Sequence, residues 1–302
     1  MKNEAKMAFL ILAHNDPPHL KKLIYALDDP RFDIYVHVDA KADIRQFAFE
    51  DYRLRHSRLC VLDNRIKVYW ADYSIVQATL GMYRAAFANG PYIRYITLSG
   101  NDYPLVSNDS IYQQLCQTDK EFIMGSPTEQ PEKVTGYYFN RAGIFGKTLT
   151  HLFRLLHITR NKAGLVMDGA RWDIYFAPQW HALSGDCVAY LLDTLQRHRE
   201  VIDRYFKYSF APDELLIPTM VFHHSVFKER ALRSSFPKGT HYNDMTAIHY
   251  INYEPVVQVF TERDAEKLLH SGKLFARKLK SGASDKLTDM IDAAARQSKT
   301  AE

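Results

Sequence analysis

His14, Asn15 and Asp16 stand together after one apolar run, and His37-Val38-Asp39 closes another. Trp70-Ala71-Asp72-Tyr73-Ser74 and Ser99-Gly100-Asn101-Asp102-Tyr103-Pro104 end two more. Such groups could bind a polar ligand, yet an aspartate after a strand more often makes a turn or caps a helix. Further on, Pro212-Asp213-Glu214 precedes Leu215-Leu216-Ile217 and reads as a loop entering a buried helix. Spacing alone favours ordinary helix-start chemistry there: proline in the first turn, acids against the positive end of the dipole. A carboxylate at that place is expected to stay ionised near neutral pH, as a general base must be. Lys273, Arg277, Lys278 and Lys280 crowd a short stretch near the end. They would suit an anionic substrate, although a solvated face is the commoner meaning of such a run.

The elements that must position these groups alternate along the first half. Residues 7–13 are continuously apolar, as a strand buried on both faces requires. Leu20, Leu23, Ile24 and Leu27 then repeat at helical spacing, between Asp16-Pro17-Pro18 and Asp28-Asp29-Pro30. Residues 33–38 alternate as a second strand, and residues 66–70 read as a third. A helix over 73–87, a strand over 92–98 and a helix over 107–116 follow. Strand–helix repetition of this kind predicts an α/β fold with a mostly parallel central sheet and helices on both faces. In such sheets ligands bind beyond the carboxyl ends of the strands, which is where the polar groups fall. Residues 125–134 have no periodicity and read as a long loop. Beyond it come a helix over 145–158, a short strand over 180–183 and an amphipathic helix over 186–197. With no internal repeat or linker, residues 1–281 read as one domain and residues 282–302 as a helical, lysine-containing tail.

Absences and composition narrow the chemistry. Neither GxGxxG nor GxxxxGK[ST] follows the first strand, so a dinucleotide fold and a P-loop are unsupported. No Asp-x-Asp occurs, so the usual carboxylate pair for a nucleotide-sugar metal is missing. His223 and His224 are adjacent and without HExxH, and they read as packed or surface histidines rather than metal ligands. The net charge of +4 does not suggest a nucleic-acid partner. Cys60, Cys116 and Cys187 are widely separated without CxxC spacing, and they read as reduced thiols. No apolar stretch reaches the length of a membrane span, so a peripheral membrane contact is the only one left open.

Taken in order, several segments resemble the core-2/I-branching β-1,6-N-acetylglucosaminyltransferase family, which also contains the peptide-O-xylosyltransferases. They are Leu10-Ile-Leu-Ala-His14, Ile34-Tyr-Val-His-Val-Asp39, Trp70-Ala-Asp-Tyr-Ser-Ile-Val-Gln-Ala-Thr-Leu80 and Leu98-Ser-Gly-Asn-Asp-Tyr-Pro104. They continue through Gln179-Trp-His-Ala-Leu-Ser184, Ala211-Pro-Asp-Glu214 and Ser271-Gly-Lys-Leu-Phe-Ala-Arg-Lys278, and together span nearly the whole chain.

The resemblance implies a GT-A fold, inversion at the anomeric carbon, a UDP-sugar donor, and no cofactor or required metal. It maps the catalytic base onto Glu214, and the uridine end of the donor site onto Asp39, with His14 nearby. Lys278 contacts the diphosphate on this mapping, with Arg277 beside it, and Asp102 is assigned to the donor side. Trp180 and Tyr253 are the acceptor-side candidates, Tyr253 in the place of an acceptor-stacking tryptophan. Residues 125–139 are where further acceptor contacts are expected. A second phosphate-binding arginine of the animal enzymes falls near Pro255 here, and Pro218 is expected to kink or shorten the helix after Glu214. Those animal relatives carry a membrane anchor and disulfides. The expectation here is a bacterial, cytoplasmic enzyme, with peripheral contact to the inner membrane open, acting on a capsular, lipid-linked or exopolysaccharide acceptor. N-acetylglucosamine leads as the donor sugar, with xylose or another UDP-sugar as alternative. A non-catalytic nucleotide-sugar or glycan-binding protein is the competing class, and a hydrolase ranks last because adjacent Asp213 and Glu214 point apart on a helix.

Overall fold

The apolar run Met7–Ala13 forms strand β1, and its side chains enter two separate cores. Ala8 and Leu10 join one core, while Met7, Phe9 and Ile11 join the other. Each large side chain so buried contributes about 1.5–3 kcal/mol relative to exposure. The computed structural model describes residues 5–139, 143–162, 164–253 and 256–300.

Chain order through the first half is β1, α1 (Pro17–Ala26), β2 (Phe32–Val38), β3 (Arg58–Val61), α2 (Tyr73–Asn89), β4 (Arg94–Ser99), β5 (Asp102–Pro104) and α3 (Asn108–Cys116). Then come β6 (Glu121–Met124), β7 (Ser126–Pro127), α4 (Glu132–Thr135), α5 (Gly143–Leu155), β8 (Leu165–Met167), β9 (Ala170–Trp172) and β10 (Tyr175–Phe176). The remainder is β11 (Ala182–Ser184), α6 (Gly185–Arg197), α7 (Arg199–Phe206), α8 (Leu216–His223), α9 (Ser225–Arg230), β12 (Ala231–Arg233), β13 (His249–Ile251), α10 (Ala265–Leu269), β14 (Phe275–Arg277) and α11 (Asp285–Thr300).

A seven-stranded sheet in the order β12-β6-β11-β4-β1-β2-β3 forms the centre. Its pairs are parallel except those made by β11, which runs antiparallel to β4 and β6. Helices α1 and α3 cover one face, through Leu20, Leu23, Ile24, Ile111 and Leu115. Helices α2, α6, α7 and α8 cover the other, through Val76, Tyr83, Leu191, Phe206 and Phe222. The α/β architecture expected from the strand–helix alternation is therefore the one observed. The order around β1 reverses between β2 and β4, which opens a crevice at the carboxyl ends of these strands.

A smaller sheet, β13-β14-β5, brings Arg277 to that crevice. Behind it Phe260, Leu268, Leu279, Leu287 and Ile291 form a third apolar cluster with Tyr103. Helix α11 is thus packed against the domain by Leu287 and Ile291, and Tyr103 Oη donates to Asp292 Oδ1 at 3.0 Å.

The expected third strand at 66–70 is a loop, and the true strand is β3. Its backbone groups bond to side chains instead: Ile66 N–H to His37 Nε2 (2.9 Å), Val68 N–H to Asp39 Oδ1 (3.2 Å) and Tyr69 N–H to Ser74 Oγ (2.9 Å). Alternation of Ile66, Val68 and Trp70 imitated a strand, whereas β3 lies at the sheet edge, half-exposed, with a weak apolar signal. Pro218 does not kink α8, because it is the third residue of that helix, where its missing N–H has no partner to lose. The stretch 125–134 holds the short β7 and the start of α4 rather than a featureless loop.

Leu287 has no exposed surface. Leu287→Ala should lower unfolding stability by about 2–5 kcal/mol, read as a lower urea midpoint at unchanged slope. An unchanged midpoint would detach α11 from the cooperative unit.

Candidate active site

The crevice contains a cavity of about 330 Å³ whose lining includes His14, Asp39, Trp70, Ser99, Trp180 and Arg277. His14 follows β1, Asp39 follows β2 and Ser99 ends β4, so the switch point itself brings them together. Asp39 is buried, and its Oδ1 accepts from the Lys41 and Val68 N–H groups at 2.9 and 3.2 Å. Lys41 Nζ stands 3.4 Å from Asp39 Oδ2.

Arg277 reaches this cavity from the small sheet. Strand β14 pairs antiparallel with β5, and the register sets Arg277 opposite Asp102. Asp102 is fully buried. Its carboxylate accepts from Ser99 N–H (2.7 Å), Ser99 Oγ (2.8 Å), His249 Nε2 (3.0 Å) and Arg277 Nη1 (3.1 Å). Arg277 Nη1 also donates to Ser99 Oγ. Burial acts to raise the Asp102 pKa, but His249, Arg277 and the Ser99 N–H hold it below the ordinary carboxylate range. Burial keeps His249 below the ordinary histidine range, so at neutral pH it is an uncharged donor and Arg277 is the offsetting charge. Asp102 was expected to touch the donor. It faces Arg277 instead, with no surface left for a ligand.

The Arg277 guanidinium lies over the Trp180 ring, 4.8 Å from its centroid. Lys278 is half-buried. Burial, then Arg277 and Lys280, lower its pKa, with Asp16 opposing. The His14 pKa falls through burial and then the charges of Lys278 and Arg277. These groups therefore share one electropositive field. Among the described residues no three His, Cys, Asp or Glu side chains converge where a metal ion could sit.

Glu214 closes a one-turn 3₁₀ helix, Pro212–Glu214, ahead of α8. Its Oε1 accepts from Tyr242 Oη at 3.1 Å. Burial and then neighbouring Asp213 push the Glu214 carboxyl well above the ordinary glutamate range, against the opposing influence of Lys133 and Tyr242. Burial pushes Asp213 up as well. A carboxyl at an open helix start would sit lower; burial and the neighbouring Asp213 raise this one. Beside Tyr242 opens a second pocket of about 270 Å³, lined by Thr128, Lys133, Phe176, Phe236 and Tyr242 among others. Lys133 Nζ rides over the Phe176 ring at 4.7 Å. Burial and then Glu214 push the Tyr242 hydroxyl up, with the Arg277 charge opposing from the first cavity.

The remaining sequence candidates divide between these hollows. Trp180 lines the first cavity, alongside His14 and Asp39. Tyr253 is half-exposed and its ring lies 5.8 Å from that of Tyr242, beside the second. Pro255 lies outside the described residues. Asp16 and Asp72 cap α1 and α2, accepting from His19 N–H and Ser74 N–H, so the plain helix-cap reading holds for both. His223 stacks on Trp172 at 3.7 Å, and His224 packs 4.4 Å from Phe227. Sequence reasoning did not name Tyr242 or Phe176, and it reached Lys133 only through the 125–139 segment where acceptor contacts were expected. Phe176 sits in a two-residue strand, and Tyr242 is brought in across 28 residues of chain. Lys41, two residues past Asp39, also carried a signal in its position.

Asp102→Asn would leave Arg277 without its buried counter-ion. It should destabilise the fold by about 3–5 kcal/mol, read as a lower midpoint in urea unfolding. A wild-type midpoint would show that Asp102 does not hold Arg277.

The family described as core-2/I-branching enzyme matches residues 7–268. No curated protein matches the chain. Among solved structures, apo mouse xyloside xylosyltransferase 1 aligns with 77% of this chain and 85% of its own, at 10% identity and a TM-score of 0.35. S. aureus TarS aligns with 77% of this chain and 35% of its own, at 13% identity and a TM-score of 0.38.

Proposed function

The chain belongs to the core-2/I-branching enzyme family, and on that premise we propose that this glycosyltransferase moves a sugar from a UDP-sugar to a glycan hydroxyl with inversion. N-acetylglucosamine leads as the sugar, with xylose the alternative. The observation that carries the reading is the pairing of the hollows: a cavity walled by Arg277, and a pocket beside a carboxyl with a raised pKa.

The uridine end of the donor sits by Asp39 and His14, and Trp180 forms part of the cavity lining. The charges of Arg277 and Lys278 face the diphosphate and stabilise the negative charge that grows as UDP departs. They take the place a metal ion would otherwise fill. The acceptor occupies the pocket beside Tyr242, with Phe176 and Tyr253 offering aromatic faces. Glu214 takes the proton from the acceptor hydroxyl as its oxygen attacks the anomeric carbon. The bond from that carbon to the diphosphate breaks, and UDP leaves with the electron pair. Holding donor and acceptor in line supplies much of the remaining acceleration. A carboxylate raised towards working pH is a stronger base than an exposed one.

Glu214→Gln should lower kcat for UDP release about 10²–10⁴-fold while leaving UDP affinity unchanged, and wild-type turnover should survive EDTA. Near wild-type turnover in the variant defeats the base assignment, loss in EDTA defeats the metal-independent step, and UDP binding without turnover on any acceptor favours a binding protein.

The sign of the pH dependence follows from the same carboxyl. A base must be ionised, so activity is full above its raised pKa and is lost as pH falls through it. The acid limb of kcat/KM should lie above the ordinary glutamate value of about 4.3. The Tyr242 hydrogen bond favours the ionised form, so Tyr242→Phe should move that limb to higher pH. A shift to lower pH would contradict the arrangement.

A further inference from the structure

Helix α5 turns an apolar stripe outward. Ile144, Phe145 and Leu155 are 85%, 73% and 66% exposed, and Leu152 and Leu156 are exposed beside them. At about 100° per residue, Ile144, Leu155, Leu152 and Phe145 share one arc of the helix. The inward arc is separate: Gly146 is buried, Phe153 packs 5.3 Å from both Tyr137 and Phe139, and Thr150 Oγ accepts from Phe139 N–H. The stripe is therefore surplus to the fold, and contiguous exposed apolar surface of this kind marks a contact.

Charge identifies what it contacts. Residues 143–162 contain no aspartate or glutamate, and exposed Lys147, Arg154 and Lys162 accompany the stripe. Lys147 and Arg154 fall on the arc next to Ile144 at the same helical rotation. An outward apolar stripe with cations along its edge fits a helix lying in a bilayer interface, where the apolar side enters the acyl boundary and the cations meet anionic headgroups. Two copies of this face would set like charges against each other. Among the described residues no helix is long and apolar enough to cross a membrane.

We propose that α5 docks this protein on an anionic lipid bilayer, with Ile144, Phe145, Leu152 and Leu155 inserted and Lys147 and Arg154 against the headgroups. On its inward side, a run of aromatic contacts leads from α5 towards the cavity: Phe153 to Tyr137 at 5.3 Å, the adjoining Tyr138 to Phe210 at 5.2 Å, and Phe210 to Trp70 at 5.5 Å.

The test is co-sedimentation of the full chain with phosphatidylcholine vesicles, pure or containing about a third phosphatidylglycerol. The wild type should partition at least about tenfold more strongly onto the anionic vesicles, and added salt should weaken this. Ile144→Glu combined with Phe145→Glu and Leu155→Glu should abolish binding, and Lys147→Glu with Arg154→Glu should reduce it to the pure phosphatidylcholine level. These side chains are exposed, and an unchanged thermal melt confirms the fold of each variant. Equal partition of wild type and variants overturns the proposal. So does concentration-dependent self-association that the apolar variant loses, without vesicle binding by the wild type. Vesicle binding is read without turnover, so its failure leaves the donor and base assignments standing.

Discussion

Asp102 is a carboxylate with no exposed surface, and an ion so placed is tolerable only when it is hydrogen-bonded and paired. Its partners come from the end of β4, from β13 and from β14. The three segments are thereby tied at one point, and the small sheet is fixed over the carboxyl edge of the large one. The antiparallel register that sets Arg277 opposite Asp102 also leaves the guanidinium over Trp180, facing the cavity. Gly100 makes the join possible. A Cβ there would stand 3.2 Å from the Ala13 Cβ, so a side chain would push β4 away from β1 where the crevice opens.

Burial acts oppositely on the outcome at the two carboxyls. At Asp102 the upward push of desolvation is outweighed by histidine, arginine and an N–H, and the group stays ionised. At Glu214 the push is reinforced by Asp213 and answered only by Lys133 and one tyrosine hydroxyl, so its pKa rises. The same chemical group thus has its pKa lowered in one place and raised in the other, a division set by surroundings. The cations divide in parallel. Arg277 is largely spent on Asp102, whereas Lys278 has its pKa depressed by burial and by Arg277.

Where one local pattern and the global fold agree, the sequence was legible. Strand β1 and helix α6 lie within a residue of their expected bounds because continuous burial and a strong amphipathic period leave no alternative. His14, Asp39 and Ser99 converge because parallel topology collects the ends of β1, β2 and β4 on one edge. What failed depended on distant partners. The loop at 66–70 satisfies its backbone through His37, Asp39 and Ser74, which no periodicity reports. The fate of Asp102 hung on His249, 147 residues away, and the raised pKa of Glu214 on burial by other segments, then Asp213. Helix α5 was expected over 145–158, but a period tells which residues share a face and not what that face meets.

Two alanines reveal how the hollows are held in relation to each other. Ala71 and Ala211 both adopt left-handed backbone, with φ of 52° and 47°, a conformation that disfavours residues with a Cβ by roughly 1–2 kcal/mol. They are joined directly, Ala211 N–H donating to Ala71 C=O at 3.1 Å. Ala71 follows Trp70 at the cavity walled by Arg277, and Ala211 opens the turn that ends in Glu214. Glu214 N–H returns to Ala211 C=O at 3.0 Å, and its own C=O accepts from Ala177 N–H at 3.0 Å. The two strained residues thus link the wall of one hollow to the carboxyl of the other by backbone alone. Strain persists where surrounding structure over-determines it, and it gathers where function needs a fixed geometry. Side-chain substitution around either hollow can then alter what is bound without changing the spacing between them, because that spacing is carried by main-chain bonds.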